Sequence, residues 1–145
     1  MKTLIFDLDG TLVRLQPQLI CIARVPFLRA LRKRYDFALV TGSPKDEVLR
    51  TLAECELTQF FDREKIVTKD DVQGDKASGI PFFEIMRRLP GAAVMVGDSD
   101  GDEIGSRKAG IPFVRVQTTQ TQKLQRKYLE EAVANAVSVL EGAKN

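Results

Sequence analysis

Residues 3–11, Thr-Leu-Ile-Phe-Asp-Leu-Asp-Gly-Thr, decide the fold of this chain. A short apolar run stops here at Asp7, Asp9 and Gly10, which is typical of a strand buried on both faces of a parallel sheet. Because side chains alternate along an extended chain, Asp7 and Asp9 are predicted to point the same way. Two neighbouring carboxylates repel each other, and a hard divalent cation such as Mg²⁺ would relieve that repulsion. The alternative is a pair of solvated turn aspartates.

The composition indicates a globular protein with one domain over residues 1–145. Hydrophobic residues make up 43% of the chain and charged residues 29%, and the net charge of +2 is too small to indicate a nucleic-acid partner. No apolar run reaches the roughly 20 residues that cross a membrane, so no membrane partner is expected. The chain has no histidine, which excludes Ser-His-Asp catalysis and His-ligated zinc. Cys21 and Cys55 form no CxxC pair, and we expect free thiols and a reducing, cytoplasmic location.

Strand-like and helix-like segments alternate along the rest of the chain. Further strands are predicted at 36–40, 65–68, 92–96 and 112–116, and helices at 19–35 (broken or restarted at Pro26), 44–54 (capped by Ser43), 81–89, 103–109 and 120–140. The alternation predicts an α/β fold, a three-layer Rossmann-like sandwich around a five-stranded parallel sheet. In such a sheet the functional site lies outside the carboxyl ends of the strands.

Polar side chains follow three of the five predicted strands at their carboxyl ends. They are Asp7 and Asp9 after the first strand, Thr41 after the second, and Asp98, Asp100 and Asp102 after the fourth. Because parallel strands end at the same edge of a sheet, these six side chains from distant parts of the chain are expected to lie close together.

In this order the residues resemble the four motifs of the haloacid dehalogenase superfamily. The matches are Asp7-Leu8-Asp9-Gly10-Thr11, then Thr41-Gly42, then Lys76, and finally Gly97-Asp98-Ser99-Asp100-Gly101-Asp102, with Asp98 and Asp102 on the two aspartate positions. The motif residues are separated by 34, 35 and 22 residues, and the resemblance extends over residues 3–116. Ser99 and Asp100 are interpreted as turn residues rather than substrate contacts.

The resemblance implies a Mg²⁺-dependent phosphomonoester hydrolase that acts on a small phosphorylated metabolite through an aspartyl-phosphate. In that scheme Asp7 is the nucleophile and Asp9 the general acid and base. The implied metal ligands are Asp7, Asp9 through its main-chain carbonyl, Asp98, and Asp102 directly or through water. The implied phosphate-binding residues are Thr41, Gly42 and Lys76, of which Thr41 and Lys76 count as catalytic. Lys69 in the same loop is a rival to Lys76, which is preferred because it directly precedes the next helix.

The spacing of the motifs leaves no room for a substantial cap domain. Only 29 residues, 12–40, separate the first two motifs, and they must include a helix and a strand. An open site suits a loosely selective phosphatase, a large substrate, or a partner subunit, including a second copy of the chain, that covers the site. The alternatives are a phosphatase for a macromolecular substrate, supported only by the basic residues 29–34, and a non-catalytic binding subunit of the same fold.

Overall fold

The computed structural model describes residues 1–142, which fold around a parallel sheet. The strands are β1 (Thr3–Phe6), β2 (Val13–Arg14), β3 (Ile20–Cys21), β4 (Asp36–Val40), β5 (Ile66–Val67), β6 (Ala93–Gly97) and β7 (Phe113–Arg115). Five of them form the sheet in the order β5-β4-β1-β6-β7, with every neighbouring pair parallel. The predicted five-stranded parallel sheet is confirmed, and β1 lies at its centre.

Helices cover both faces of the sheet, as the three-layer prediction requires. They are α1 (Val25–Arg32), α2 (Lys45–Glu54), α3 (Ile80–Arg88), α4 (Asp100–Lys108) and α5 (Gln122–Glu141). Leu4 and Phe6 of β1 pack into one hydrophobic cluster with residues of α1, α2 and α5. Ile5, between them in sequence, packs into the other cluster with Phe82 and Ile85 of α3. The alternation of strand side chains therefore joins β1 to both layers.

The structure corrects the predicted helix at 19–35. Residues 20–21 form a strand, β3, where the start of the helix was predicted. This strand pairs antiparallel with β2, which lies just before the predicted helix. The helix begins only at Val25, so Pro26 lies in its first turn instead of breaking it. Proline is favoured at that place because the first amide groups of a helix need no intrahelical partner.

Two other helix boundaries also differ from the predictions. Helix α2 has Pro44, not Ser43, as its N-cap, and its buried residues are Val48, Thr51 and Leu52. Helix α4 begins at Asp100 instead of Glu103. Ser99 and Asp102 form a capping box there, which extends the helix by three residues at its start.

Within residues 1–142 the chain carries no cap domain, as predicted. The short β2–β3 hairpin follows the first motif in the place where a helical cap would stand. No helix among the described residues is long and apolar enough to cross a membrane. Three basic residues within or beside α1 form ion pairs, Arg24 with Glu130, Arg32 with Asp36 and Arg34 with Glu141. Helix α1 leads into the amino end of β4, so its basic end lies at the sheet edge opposite the strand carboxyl ends.

The two cysteines form a disulfide, and the prediction of free thiols was wrong. Cys21 of β3 is bonded to Cys55, the residue after α2, with 5.5 Å between their Cα atoms. The two residues are 34 positions apart in the sequence, and the fold brings them together. The expectation of a reducing compartment rested on unpaired cysteines and loses that support.

The disulfide predicts that reduction destabilises the protein. Closing a loop of 34 residues stabilises a fold by about 3–4 kcal/mol in the chain-entropy account. We expect dithiothreitol to lower the free energy of unfolding in urea by up to that amount. The Cys21→Ser/Cys55→Ser double variant is the control and should unfold at the same urea concentration with and without reductant. Two titratable thiols in unfolded protein that has never been reduced would contradict the assignment.

Candidate active site

Two adjacent strands, β1 and β6, and helix α4 bring three of the predicted acidic residues together at the carboxyl edge of the sheet. Asp7 directly follows β1 and Asp98 directly follows β6, while Asp102 lies in the first turn of α4. One carboxylate oxygen from each of these three residues lies within 4.8 Å of the others. Asp7 is 6% exposed and Asp102 is fully buried. The site is therefore a compact acidic cluster at the end of the two central strands.

Lys76 supplies the positive charge of this cluster. Its Nζ atom lies 2.5 Å from Asp7 Oδ1 and 2.7 Å from Asp102 Oδ1. The lysine begins a single 3-10 turn, Lys76–Ser78, which the Asp75 carboxylate stabilises by accepting a hydrogen bond from the Ser78 amide. Of the two lysines weighed from the sequence, the structure brings Lys76 to Asp7, whereas Lys69 makes no contact with it among the described residues.

The pKa shifts follow from burial and from these contacts. Burial raises the pKa of the Asp7 carboxyl well above its usual range, Lys76 opposes the rise, and Asp102 adds to it. Burial alone would lower the pKa of Lys76, but the charges of Asp7 and Asp102 outweigh it and raise that pKa. The cost of burial is thus partly offset by direct pairing of opposite charges.

Asp9 stands apart from the acidic cluster. Its side chain is exposed, and its Oδ1 atom accepts a hydrogen bond of 3.0 Å from the amide of Leu15, just after β2. The hairpin that follows the first motif thus fixes the orientation of the Asp9 carboxylate. The structure does not group this carboxylate with the potential metal ligands Asp7, Asp98 and Asp102.

Thr41 and Gly42 follow β4 and line a cavity of about 450 Å³ together with Lys76. Thr41 is buried, and its hydroxyl oxygen accepts a hydrogen bond of 3.1 Å from the Ser43 amide. Lys69, Val72, Asp75 and Pro81 extend the lining outward. A larger groove of about 720 Å³ runs along the start of α5, but none of the predicted site residues lines it.

Residues 24–116, well over half of the chain, match the sequence profile of the haloacid dehalogenase-like hydrolases. The chain belongs to this family. The resemblance inferred from the four motifs is thereby confirmed.

Curated relatives and a solved structure agree with this family assignment. The chain is 33% identical over 91 residues to the pyrophosphatase PpaX of Bacillus cereus (strain B4264), a stretch covering 61% of this chain and 41% of that protein. For PpaX of Bacillus pumilus (strain SAFR-032) the identity is 36% over 95 residues, covering 59% and 43%. The chain therefore spans about two fifths of these relatives. A Thermotoga maritima protein assigned as a beta-phosphoglucomutase superposes with a TM-score of 0.72 at 17% identity, covering 92% of this chain and 99% of that one, which supports the fold alone.

The donor set of this haloacid dehalogenase-like hydrolase fits a hard divalent cation. Asp7, Asp98 and Asp102 provide carboxylate oxygens only, which suit Mg²⁺ better than a softer metal. The Oδ1 atom of Asp98 is buried and accepts no hydrogen bond from any described residue. Three carboxylates beside the one ammonium of Lys76 leave two negative charges, which a dication would balance.

Two glycines allow neighbouring segments of the site to pack in close contact. Gly10 has φ +85°, and a Cβ atom there would lie 2.2 Å from Asp98 Oδ2. In α4, a Cβ atom on Gly105 would lie 1.8 Å from the carbonyl oxygen of Lys76. The helix therefore packs directly on the backbone that carries the site lysine. Gly105 was not among the residues predicted to matter for the site, although a glycine inside a predicted helix indicates that another backbone segment can pack closely against the helix there.

Arg115 is a second residue that supports the site and was not predicted from the sequence to do so. From β7 it donates a hydrogen bond of 2.8 Å to the carbonyl oxygen of Asp98, and it pairs with Asp100 and Glu103. These contacts tie the loop after β6 to the first turn of α4 and so hold Asp98 at the strand end.

The packing at Gly105 predicts unequal effects of two identical substitutions in α4. Gly105→Ala should lower the free energy of unfolding by about 2 kcal/mol or more, because the methyl group forces the helix away from Lys76. Gly101→Ala is the matched control, since its nearest neighbour would be Lys76 Cβ at an ordinary 3.6 Å. Alanine there should be neutral or stabilise by up to about 1 kcal/mol. Urea unfolding measures both, and equal effects would contradict the packing argument.

The charge balance predicts that Mg²⁺ stabilises the folded protein. At constant ionic strength, mass action raises the melting temperature as the free Mg²⁺ concentration exceeds the dissociation constant. Asp98→Asn should abolish most of the rise, whereas Asp62→Asn, which removes an exposed carboxylate outside the cluster, should leave it unchanged. Differential scanning calorimetry with MgCl₂ against matched NaCl measures the shift. A rise of the same size in Asp98→Asn would exclude these residues as the metal site.

Proposed function

We propose that the protein is a Mg²⁺-dependent phosphomonoester hydrolase that forms an aspartyl-phosphate on Asp7 and acts on a small phosphorylated metabolite. The observation that carries the proposal is the pairing of the buried Asp7 carboxylate with Lys76 next to Asp98 and Asp102. Family membership supports hydrolysis, and the PpaX relatives are named as pyrophosphatases, which supports phosphate chemistry in particular.

In the first step an oxygen of the Asp7 carboxylate attacks the phosphorus atom of the substrate. A bond forms between Asp7 and phosphorus, and the bond from phosphorus to the ester oxygen breaks. Asp9, as a carboxylic acid, gives its proton to the departing oxygen, so that the alcohol leaves neutral. The exposed position of Asp9 and its hydrogen bond to the Leu15 amide suit a group that meets the leaving group at the mouth of the site.

In the second step a water molecule attacks the phosphorus of the aspartyl-phosphate. Asp9, now a carboxylate, takes a proton from that water, and the bond between phosphorus and Asp7 breaks. Inorganic phosphate leaves, Asp7 is again a carboxylate and Asp9 again an acid. The sum is one ester and one water converted to one alcohol and one phosphate.

The remaining site residues hold charge and position. Lys76, the Thr41 hydroxyl and the Gly42 amide line the cavity next to Asp7 and would bind the phosphoryl oxygens. Asp7, Asp98 and Asp102, together with the main-chain carbonyl of Asp9, would hold Mg²⁺. The ion would reduce the repulsion between Asp7 and the phosphate and stabilise charge in the transition state.

In this proposal a small substrate is favoured over a macromolecule. Of the basic residues 29–34, the one feature that favoured a macromolecular partner, Arg32 and Arg34 are paired with acidic residues at the opposite edge of the sheet. A second copy of the chain that covers the open site stays a prediction, as does the cytoplasmic location. The non-catalytic alternative is an outcome of the experiment below.

The mechanism predicts a covalent phosphate on Asp7. With ³²P-labelled phosphomonoester and Mg²⁺, acid-quenched wild-type protein should carry label that hydroxylamine releases, as an acyl phosphate does. Asp7→Asn should carry none and should release phosphate at least about 10³-fold more slowly. Asp9→Asn should slow turnover by about 10²–10⁴-fold, since it removes the general acid and base.

Asp62→Asn serves as the control because it makes the same change at an exposed position outside the cluster. It should behave as the wild type does. Phosphate release that survives Asp7→Asn would exclude Asp7 as the nucleophile. Absence of release from every phosphomonoester tested would favour the binding role.

A further inference from the structure

We propose that Lys69 binds a second anionic group on the leaving-group side of the substrate, so that the preferred substrates are phosphomonoesters carrying a carboxylate or a further phosphate. This inference rests on the proposed function and deepens it. The observation behind it is the cavity of about 450 Å³, which begins at Thr41, Gly42 and Lys76 and continues past Lys69. That volume lies within the range of small-molecule sites, so it accommodates more than one phosphoryl group.

The backbone of Lys69 is fixed beside the phosphate-binding turn. Its amide donates a hydrogen bond of 3.1 Å to the carbonyl oxygen of Ser43, two residues after Thr41. The preceding Thr68 donates from its amide and its hydroxyl to Asp71 Oδ2, at 2.7 and 2.9 Å. Lys69 is therefore held by the strand-end loops at a defined place next to the site.

The acidic neighbours of Lys69 are engaged elsewhere. Asp70 accepts a hydrogen bond of 2.8 Å from the Lys45 amide, and Asp71 pairs with the Lys45 ammonium at 3.1 Å. Asp75, which also lines the cavity, accepts a hydrogen bond from the Ser78 amide. The side chain of Lys69 is exposed and has no partner among the described residues.

The two lysines of the cavity therefore differ in charge balance. Lys76 forms ion pairs with Asp7 and Asp102, whereas Lys69 forms no ion pair among the described residues. A substituent bound in the outer part of the cavity lies beside the Lys69 ammonium. An anionic substituent there gains an attraction that a neutral one lacks, and an exposed pair of this kind corresponds to a preference of up to about fivefold.

The test measures binding separately from turnover. Isothermal titration calorimetry in Mg²⁺ gives the affinity for propylphosphonate, for 2-carboxyethylphosphonate and for ethylene-1,2-diphosphonate, none of which can be hydrolysed as an ester. The wild type should bind the two compounds that carry a second anionic group up to about fivefold more tightly than propylphosphonate. Comparison of the carboxylate with the diphosphonate shows which anion the lysine prefers. Lys69→Gln should reduce both ratios to about one, and Lys69→Arg should retain them.

Lys33→Gln is the matched control, because it removes one exposed lysine charge at the end of α1. It should keep the wild-type ratios. Equal affinities in the wild type, ratios that survive Lys69→Gln, or no binding of any phosphonate would overturn the inference. Hydrolysis of propyl phosphate is measured in parallel. Absence of turnover together with a Lys69-dependent binding preference would exclude the proposed catalytic function while supporting the role of Lys69.

Discussion

The ammonium of Lys76, held between the carboxylates of Asp7 and Asp102, is the interaction on which the site depends. It joins the end of β1, the turn before α3 and the first turn of α4 through two contacts of 2.5 and 2.7 Å. Buried carboxylates without a partner would be costly, and removing one member of such a pair leaves the others unpaired. The approach of α4 to Lys76 is possible only because residue 105 has no side chain. One ion-pair network and one glycine contact thus fix three segments that are distant in sequence.

A site assembled in this way is ordered before substrate arrives. Preorganised charges are worth more to catalysis than charges that must move into place during the reaction. The supporting contacts extend outward from the centre: the Leu15 amide orients Asp9, and Arg115 holds the carbonyl of Asp98. The same arrangement carries an excess of negative charge, because three carboxylates face one ammonium. A divalent cation would complete this balance.

The centre of the fold could be predicted because it is encoded locally. The apolar run that ends at Asp7 identifies β1, and polar residues after successive strands identify the edge where a site can form. Lys76 could be preferred over Lys69 from its position alone. The disulfide between Cys21 and Cys55 could not be predicted, since it depends on the packing of a hairpin against α2. The hairpin itself is two residues per strand, too short for a periodic pattern. The predicted start of α4 was wrong because Ser99 and Asp102 of the acidic motif form a capping box, with which the helix begins at Asp100.

The absence of a cap within the described residues changes where specificity can reside. In a capped enzyme a separate domain closes over the leaving group and selects it. In the proposed reaction the leaving group would lie against the strand-end loops, and the loop after β5 is the one that continues the cavity outward. At the opposite edge of the sheet Arg32 and Arg34 are paired with acidic residues. Lys69 is different, since Lys45 occupies its acidic neighbours. An unpaired cation fixed beside an open phosphate site selects by charge, which is the form of selectivity that requires no enclosing domain.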